Sequence, residues 1–340
     1  MKAAVFHGPE QPLSLEEVPT PAPGRGDVLI RVAACGVCHT DLHYTDHGTP
    51  TFKSPPLILG HEISGIVEAT GEGTSGRKPG DRVLVAAVTS CGTCEACREG
   101  RENICARGEM FGNHVDGGFA EYVVAPAKDT FLVPEGVPLV EGSIIADAIT
   151  TPYHAVVNRG RVRPGDAVVV FGCGGVGLNV VQVAAAQGAR VVAVDLSEDK
   201  LAWARKLGAA AAVNPTSVER LDKELRKATA GGADVAFEVV GKPSTQEQCL
   251  ASLKTGGRAV FVGYAPDTMT LNSGRVMFRE LEVVGSLGCR PVDYPRAIEM
   301  VRQKRIQLEP LVTHQFPLER IGEAFDTLRS GSAIRVVVRP

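Results

Sequence analysis

The sequence predicts an α/β chain in which a doubly wound, six-stranded parallel sheet is joined to a second, β-rich domain. Three observations carry this. From residue 150 onward, apolar runs alternate with helical stretches. A glycine run, Gly172-Cys173-Gly174-Gly175-Val176-Gly177, stands where the first of those runs gives way to a helix. Before residue 148 the chain carries short alternating strands separated by Gly/Pro turns.

The elements follow in order. VLIRVAA (28–34), ISGIVEA (63–69), DRVLVAA (81–87) and FAEYVVA (119–125) alternate like half-buried strands. AVVVFG (167–172) is β-branched and apolar, a buried strand, and a helix follows to Gln187. VVAVD (191–195) is the next strand, and Ser197 is the expected N-cap of the next helix. AAAAV (209–213), ADVAFEVV (233–240), RAVFVG (258–263) and LEVVGS (281–286) complete six strands with crossover connections. An amphipathic helix (293–304), a strand near 312–316, a helix (319–329) and a strand (334–338) close the chain. The absence of internal repeats excludes a solenoid.

Several function classes drop out. Residues 167–189 carry no charge and could span a bilayer, but five glycines, Asn179 and two glutamines interrupt them. A strand and a buried helix explain that segment without a membrane. MKAAVFHGPEQPL lacks the apolar run of a signal peptide. A net charge of −3 gives no electrostatic case for nucleic acid or an acidic membrane. Nine unevenly spaced cysteines fit metal binding in a reducing cytoplasm better than a disulfide framework.

The chemistry concentrates in three places. The glycine run is a G-x-G-x-x-G pattern, in which backbone N–H groups at a helix N-terminus meet a pyrophosphate. The next strand ends in Asp195, 21 residues after Gly174, where a carboxylate accepts both ribose hydroxyls and repels a 2′-phosphate. NAD is therefore preferred over NADP. The second place is Cys91-x2-Cys94-x2-Cys97-x7-Cys105, four thiols at the spacing of a closed tetrahedral zinc site. Its basic residues are offset by Glu95, Glu99, Glu102 and Glu109, against a nucleic-acid ribbon. The third is Cys38-His39-Thr40-Asp41-Leu42-His43 with Gly60-His61-Glu62, neither fragment decisive alone.

Together with MKAAVF, Ala34-Cys35-Gly36-Val37, Asp147-Ala148-Ile149-Thr150-Thr151-Pro152-Tyr153 and the terminal Ala333-Ile334-Arg335, these motifs resemble the zinc-dependent medium-chain alcohol dehydrogenases. The resemblance runs through essentially the whole chain in the same order. It implies a GroES-like catalytic domain over residues 1–149 and 289–340, and a Rossmann NAD-binding domain over 150–288. It places the catalytic zinc on Cys38, His61 and, where the family usually has cysteine, Asp147. Glu62 is then the carboxylate beside the metal, and Cys91, Cys94, Cys97 and Cys105 hold a structural zinc.

The same resemblance implies a reaction. With three protein ligands, a zinc keeps one position open for an alcohol oxygen and acidifies it. Hydride passes from the alcohol carbon to the nicotinamide, while Thr40 and His43 carry the proton to solvent. Thr151 falls near the nicotinamide, His39 and Arg335 at the pyrophosphate, and Lys200 at the adenosine ribose. Tyr44, His47, Val88, Met110 and Leu287 are candidates for the substrate pocket. The expected activity is reversible, NAD-linked oxidation of a primary or secondary alcohol. A polyol or cyclic hydroxyacyl thioester dehydrogenase uses the same metal site, and a zinc- and NAD-binding protein without turnover is a further alternative. A homo-oligomer is expected, a tetramer before a dimer.

Overall fold

The computed structural model describes residues 1–264 and 267–340. Two compact units result: Met1–Thr150 with Cys289–Pro340, and Thr151–Gly288.

Six parallel strands form the sheet of the second unit. Its order is Ala211–Val213, Arg190–Val194, Ala167–Phe171, Ala233–Glu238, Leu253–Phe261, Glu282–Gly285. Numbered along the chain this is 3-2-1-4-5-6, the doubly wound arrangement whose direction reverses beside the first strand. Phe171 pairs level with Val194 on one side and Glu238 on the other, so the three central strands end at a common edge. The first strand is valine-rich because both faces are covered: Val168, Val169 and Val170 have no exposed surface. The uncharged stretch at 167–189 resolves into this strand and the helix Gly177–Ala186. Among the described residues, no helix is long and apolar enough to cross a membrane. Ser197 Oγ accepts the Lys200 N–H and starts the helix Glu198–Lys206, with acids in its first turn and bases in its last.

The first unit is built on a seven-stranded sheet. Its long central strand Asp27–Val37 pairs with Glu62–Thr70, Tyr122–Pro126 and the C-terminal Arg335–Arg339. The C-terminal strands are thus paired into a sheet whose other strands all come from the first 132 residues. Ile30, Leu59, Ile63, Phe111, Phe119 and Val336 form part of the apolar cluster on which this unit is built. A second, three-stranded sheet joins Ser14–Glu17, Lys2–Phe6 and Leu57–Ile58.

Some boundaries differ from those expected. The strand expected at 258–263 starts at Leu253 and crosses Lys254-Thr255-Gly256-Gly257, where pairing with Ala233–Glu238 and its register shift override the turn-like composition. The helix expected at 293–304 ends at Arg302, with Gln303 as its cap and Lys304 at φ 58°. The hairpin of Lys2–Phe6 and Ser14–Glu17 was not among the expected strands; partners distant in sequence, Leu57–Ile58 among them, stabilise it. His154–Arg159 is a π-helix continuing the short helix Thr150–Tyr153.

Candidate active site

Backbone geometry brings the third group of residues together. The strand Asp27–Val37 runs into Cys38, which caps the seven-residue helix His39–Thr45. Gly36 pairs with Glu62, so the end of this strand lies beside the start of Glu62–Thr70, with His61 just ahead of it. The pairing demands glycine, because a Cβ at Gly36 would lie 2.0 Å from Glu62 Oε2. Asp147 follows the short helix Ser143–Ala146. One ligand atom each from Cys38, His61, Glu62 and Asp147 falls within 4.8 Å of all the others.

These groups fit a metal. His61 is 1% exposed and neither ring nitrogen has a hydrogen-bond partner. Nε2 stands 3.7 Å from Asp147 Oδ2, and Nδ1 stands 3.8 Å from Asp41 Oδ1. Bonds of 2.0–2.3 Å to a tetrahedral zinc keep its ligands about 3.3–3.8 Å apart, so the Nε2–Asp147 spacing suits a shared cation. Burial pulls the imidazole pKa down, but the Asp147 carboxylate, the Cys38 thiol and Asp41 outweigh it and raise it well above the ordinary value. A buried site surrounded by anionic groups favours a cation.

Asp41 was not anticipated. It is fully buried; its Oδ2 accepts the Cys38 N–H at 2.9 Å, and its Oδ1 faces His61. It fixes the backbone of one metal-ligand candidate and faces the ring of another, the place of a carboxylate behind a ligating histidine. Its position three residues after an N-cap thiol was the available signal.

Glu62 is equally buried, and its Oε1 accepts from the guanidinium of Arg335. Burial raises the Glu62 pKa, against the pull of that cation. Arg335, expected at a pyrophosphate, is 2% exposed and reaches Glu62 across the intervening strand Asp27–Val37, which pairs with both of their strands. Thr40 Oγ1 lies 3.7 Å from Cys38 Sγ. His43 Nδ1 lies 3.1 Å from His47 Nδ1, and burial first, then His47, lowers the His43 pKa. Tyr44 Oη accepts from Asn113 Nδ2 at 2.8 Å and lies 4.0 Å from Met110 Sδ, while Met110 bridges to Val88. His39 is exposed at the start of its helix. A separate groove of 460 Å³, lined by residues such as Val5, Val18, Ile58 and Val123, includes none of these residues.

The four cysteines also converge. Sulfur separations of 3.5 Å (Cys94–Cys97), 3.8 Å (Cys94–Cys105) and 3.9 Å (Cys91–Cys97) are too long for disulfides and suit the edges of a tetrahedron around zinc. Cys91 Sγ accepts the N–H groups of Thr93 and Cys94, which lower its pKa to about 5. Arg107 Nη2 lies 3.4 Å from the same sulfur. A thiolate is thus supported at Cys91, whereas burial pushes the Cys97 thiol up to about 12.

In the other unit, the glycine run joins the first strand to the helix Gly177–Ala186, whose N-terminus has no side-chain cap. Gly172 takes a φ of 96°, and a Cβ at Gly177 would lie 1.8 Å from Gly172 O. Gly174 has no such internal reason: its φ is not in the left-handed region, and a Cβ there would meet nothing within 4 Å. The open space at Gly174 fits the close approach of a pyrophosphate to uncapped N–H groups. Gly175 and Val176 complete the run, their carbonyls accepting from Asn179 Nδ2 and the Val180 N–H. Asp195 closes the second strand; Oδ2 accepts the Cys173 N–H at 2.7 Å and Oδ1 the Ser197 N–H at 2.9 Å. Lys200 lies in the first turn of the following helix, and Thr151 is the first residue of this unit.

A dinucleotide-type sheet, combined with a buried Cys/His/Asp pocket and a four-thiol cluster, defines a metal-dependent dehydrogenase. Comparison with known proteins narrows the class. Residues 24–135 match the alcohol dehydrogenase GroES-like domain and residues 175–303 the zinc-binding dehydrogenase domain. An alcohol dehydrogenase of Moraxella sp. (strain TAE123) is 38% identical over 97% of this chain and 96% of its own. A solved NAD-dependent alcohol dehydrogenase superposes with a TM-score of 0.92 at 33% identity, with complete coverage of both chains. The 2R,3R-butanediol dehydrogenase of Bacillus subtilis does so at 0.92 and 30%, over 100% of this chain and 99% of its own. The chain belongs to the zinc-dependent medium-chain alcohol dehydrogenases.

Proposed function

We propose that this chain catalyses the NAD-linked oxidation of a primary or secondary alcohol, with a catalytic zinc on Cys38, His61 and Asp147. The observation that carries this is His61, buried with both ring nitrogens unpartnered and facing two carboxylates beside a thiol. When bound, zinc supplies a Lewis acid for the alcohol oxygen and NAD accepts the hydride.

The chain's own residues do the rest. Cys38 as thiolate and Asp147 as carboxylate bring the formal charge of a zinc site to zero, which suits a buried centre. Asp41 faces His61 Nδ1 while Nε2 faces Asp147, so a carboxylate stands behind the nitrogen that the metal would not use. Glu62, fixed by Arg335, keeps a further carboxylate oxygen at the pocket. Thr40 Oγ1 accepts the proton of the substrate hydroxyl as it gives up its own, and His43, whose pKa burial lowers, takes up a proton on the way to solvent. Tyr44, Val88 and Met110 form a mixed polar and apolar patch suited to a small alcohol.

Preference for NAD rests on Asp195, whose charge disfavours a 2′-phosphate. Cys91, Cys94, Cys97 and Cys105 hold a structural zinc with no position left for substrate. The edge strand Glu282–Gly285, with Val283 37% exposed, pairs with a second copy in a homo-oligomer, of which a tetramer is the expected form. Nine free thiols suit a reducing, cytoplasmic setting. A panel of alcohols, followed by nicotinamide reduction with NAD and NADP, tests the activity. Turnover of no alcohol by zinc-loaded protein would contradict it.

A further inference from the structure

Among the zinc-ligand candidates, Asp147 stands on irregular backbone. It has φ −140° and ψ −55° and stands just past the end of the helix Ser143–Ala146. Its side-chain direction therefore depends on the peptide that joins it to Ala146. Two hydroxyls pin that peptide. Tyr294 O–H donates to the Ala146 carbonyl at 2.9 Å, and Thr150 Oγ1–H donates to the same oxygen at 3.1 Å.

Tyr294 is itself fixed from several sides. Its oxygen accepts the Ala87 N–H at 3.0 Å, which ties it to the segment after strand Arg82–Val85. Its ring stacks on Phe131, with centroids 4.3 Å apart and planes 2° from parallel. It is 2% exposed. It sits in the first turn of helix Asp293–Arg302, where Asp293 is held by the Arg290 N–H at 3.0 Å and the Arg290 guanidinium at 3.1 Å. Rotation of the Ala146–Asp147 peptide would break two hydroxyl contacts to one carbonyl, and the phenol cannot follow it.

We propose that Tyr294 is a positioning residue for the third zinc ligand: its hydroxyl fixes the Ala146 carbonyl and thereby aims Asp147 at the metal. This rests on the reading of Asp147 as a ligand. An oxygen ligand on an irregular turn gains from such a brace, because outer partners of metal ligands typically contribute about 10–100-fold to metal affinity.

The test uses full-length, zinc-loaded Tyr294→Phe, which keeps the ring on Phe131 and removes only the hydroxyl. Zinc release to a colorimetric chelator is followed in parallel with thermal unfolding and with the visible spectrum of cobalt-substituted protein. Expected is roughly tenfold faster release of one zinc. The four-cysteine zinc should leave at the parent rate, and the cobalt bands of the first site should change. Excess zinc should restore kcat. Parent release rates for both zincs and an unchanged cobalt spectrum would overturn the proposal, even with a lowered Tm.

Asp147→Asn is measured alongside. Faster release there with parent behaviour in Tyr294→Phe contradicts the positioning role alone. Parent behaviour in Asp147→Asn overturns the ligand reading itself, and the proposal with it. If Tyr294→Phe does not fold, Tyr294→His, whose shorter ring can still face Phe131 while withdrawing the hydroxyl from the Ala146 carbonyl, carries the test with the same two outcomes.

Discussion

Replacing Arg335 by methionine should destabilise the protein strongly and selectively, most of all without zinc. The guanidinium is 3% exposed and the Glu62 carboxylate 0%, so neither can turn to water if the other is lost. Asp147, Asp41 and Cys38 line the same region and offer no positive charge, so His61, with its raised pKa, replaces only part of the lost cation. Removing one partner of a buried pair costs about 3–5 kcal/mol. The unit that contains the pair has roughly 200 residues, for which about 2–4 °C of Tm accompanies each kcal/mol, giving a drop of about 6–20 °C. Calorimetry at neutral pH on chelated protein should show this fall. Zinc should recover part of it, because the metal supplies a positive charge near Glu62. The double variant Glu62→Gln with Arg335→Met should lose less than Arg335→Met alone, since the pair then leaves no unpaired charge behind. A chelated Arg335→Met protein within about 2 °C of its parent would refute this role for the pair.

Three further outcomes are expected. Asp195→Ala should weaken NAD and narrow the gap to NADP, because the carboxylate also fixes the Cys173 N–H in the glycine run; an unchanged NAD:NADP ratio in kcat/KM would contradict its role. Cys94→Ser should lower Tm and release one zinc while a folded variant still oxidises alcohol, since a closed site contributes folding energy and no reaction position. Complete loss of turnover with the other zinc retained would argue against that division. For His43, whose pKa burial and His47 hold below the ordinary 6.5, the acid limb of kcat/KM should fall below that pH. His47→Gln removes the smaller of the two causes that lower the His43 pKa, so the limb should move up toward 6.5; a fixed or descending limb would exclude the coupling.

What was legible in the sequence were features whose geometry is local. Gly172 and Gly177 are demanded by a turn and a close backbone contact within six residues, so the glycine run announced its strand and helix. The spacing of Cys91, Cys94, Cys97 and Cys105 encodes a loop folded on itself. Ser197 is the cap it was expected to be, because capping needs only the next three residues. Features made by distant residues were not legible. Arg335 meets Glu62 across 273 positions, through a strand pairing that only the complete sheet creates. Asp41 resembled an ordinary helix-start acid until His61 was placed against it. The Lys2–Phe6 hairpin depends on Leu57–Ile58, and no local alternation revealed that partner. Asp147 could be singled out only through the family resemblance, because a lone aspartate in an apolar stretch has no ligand signature of its own.

Zinc content measured against turnover during mild chelation is the most direct test that Cys38, His61 and Asp147 hold a catalytic metal. Purified chain should contain two zinc ions, of which the first to leave takes all alcohol-dependent NAD reduction with it and restores it on return. Undiminished turnover in protein left with one zinc per chain would contradict the assignment.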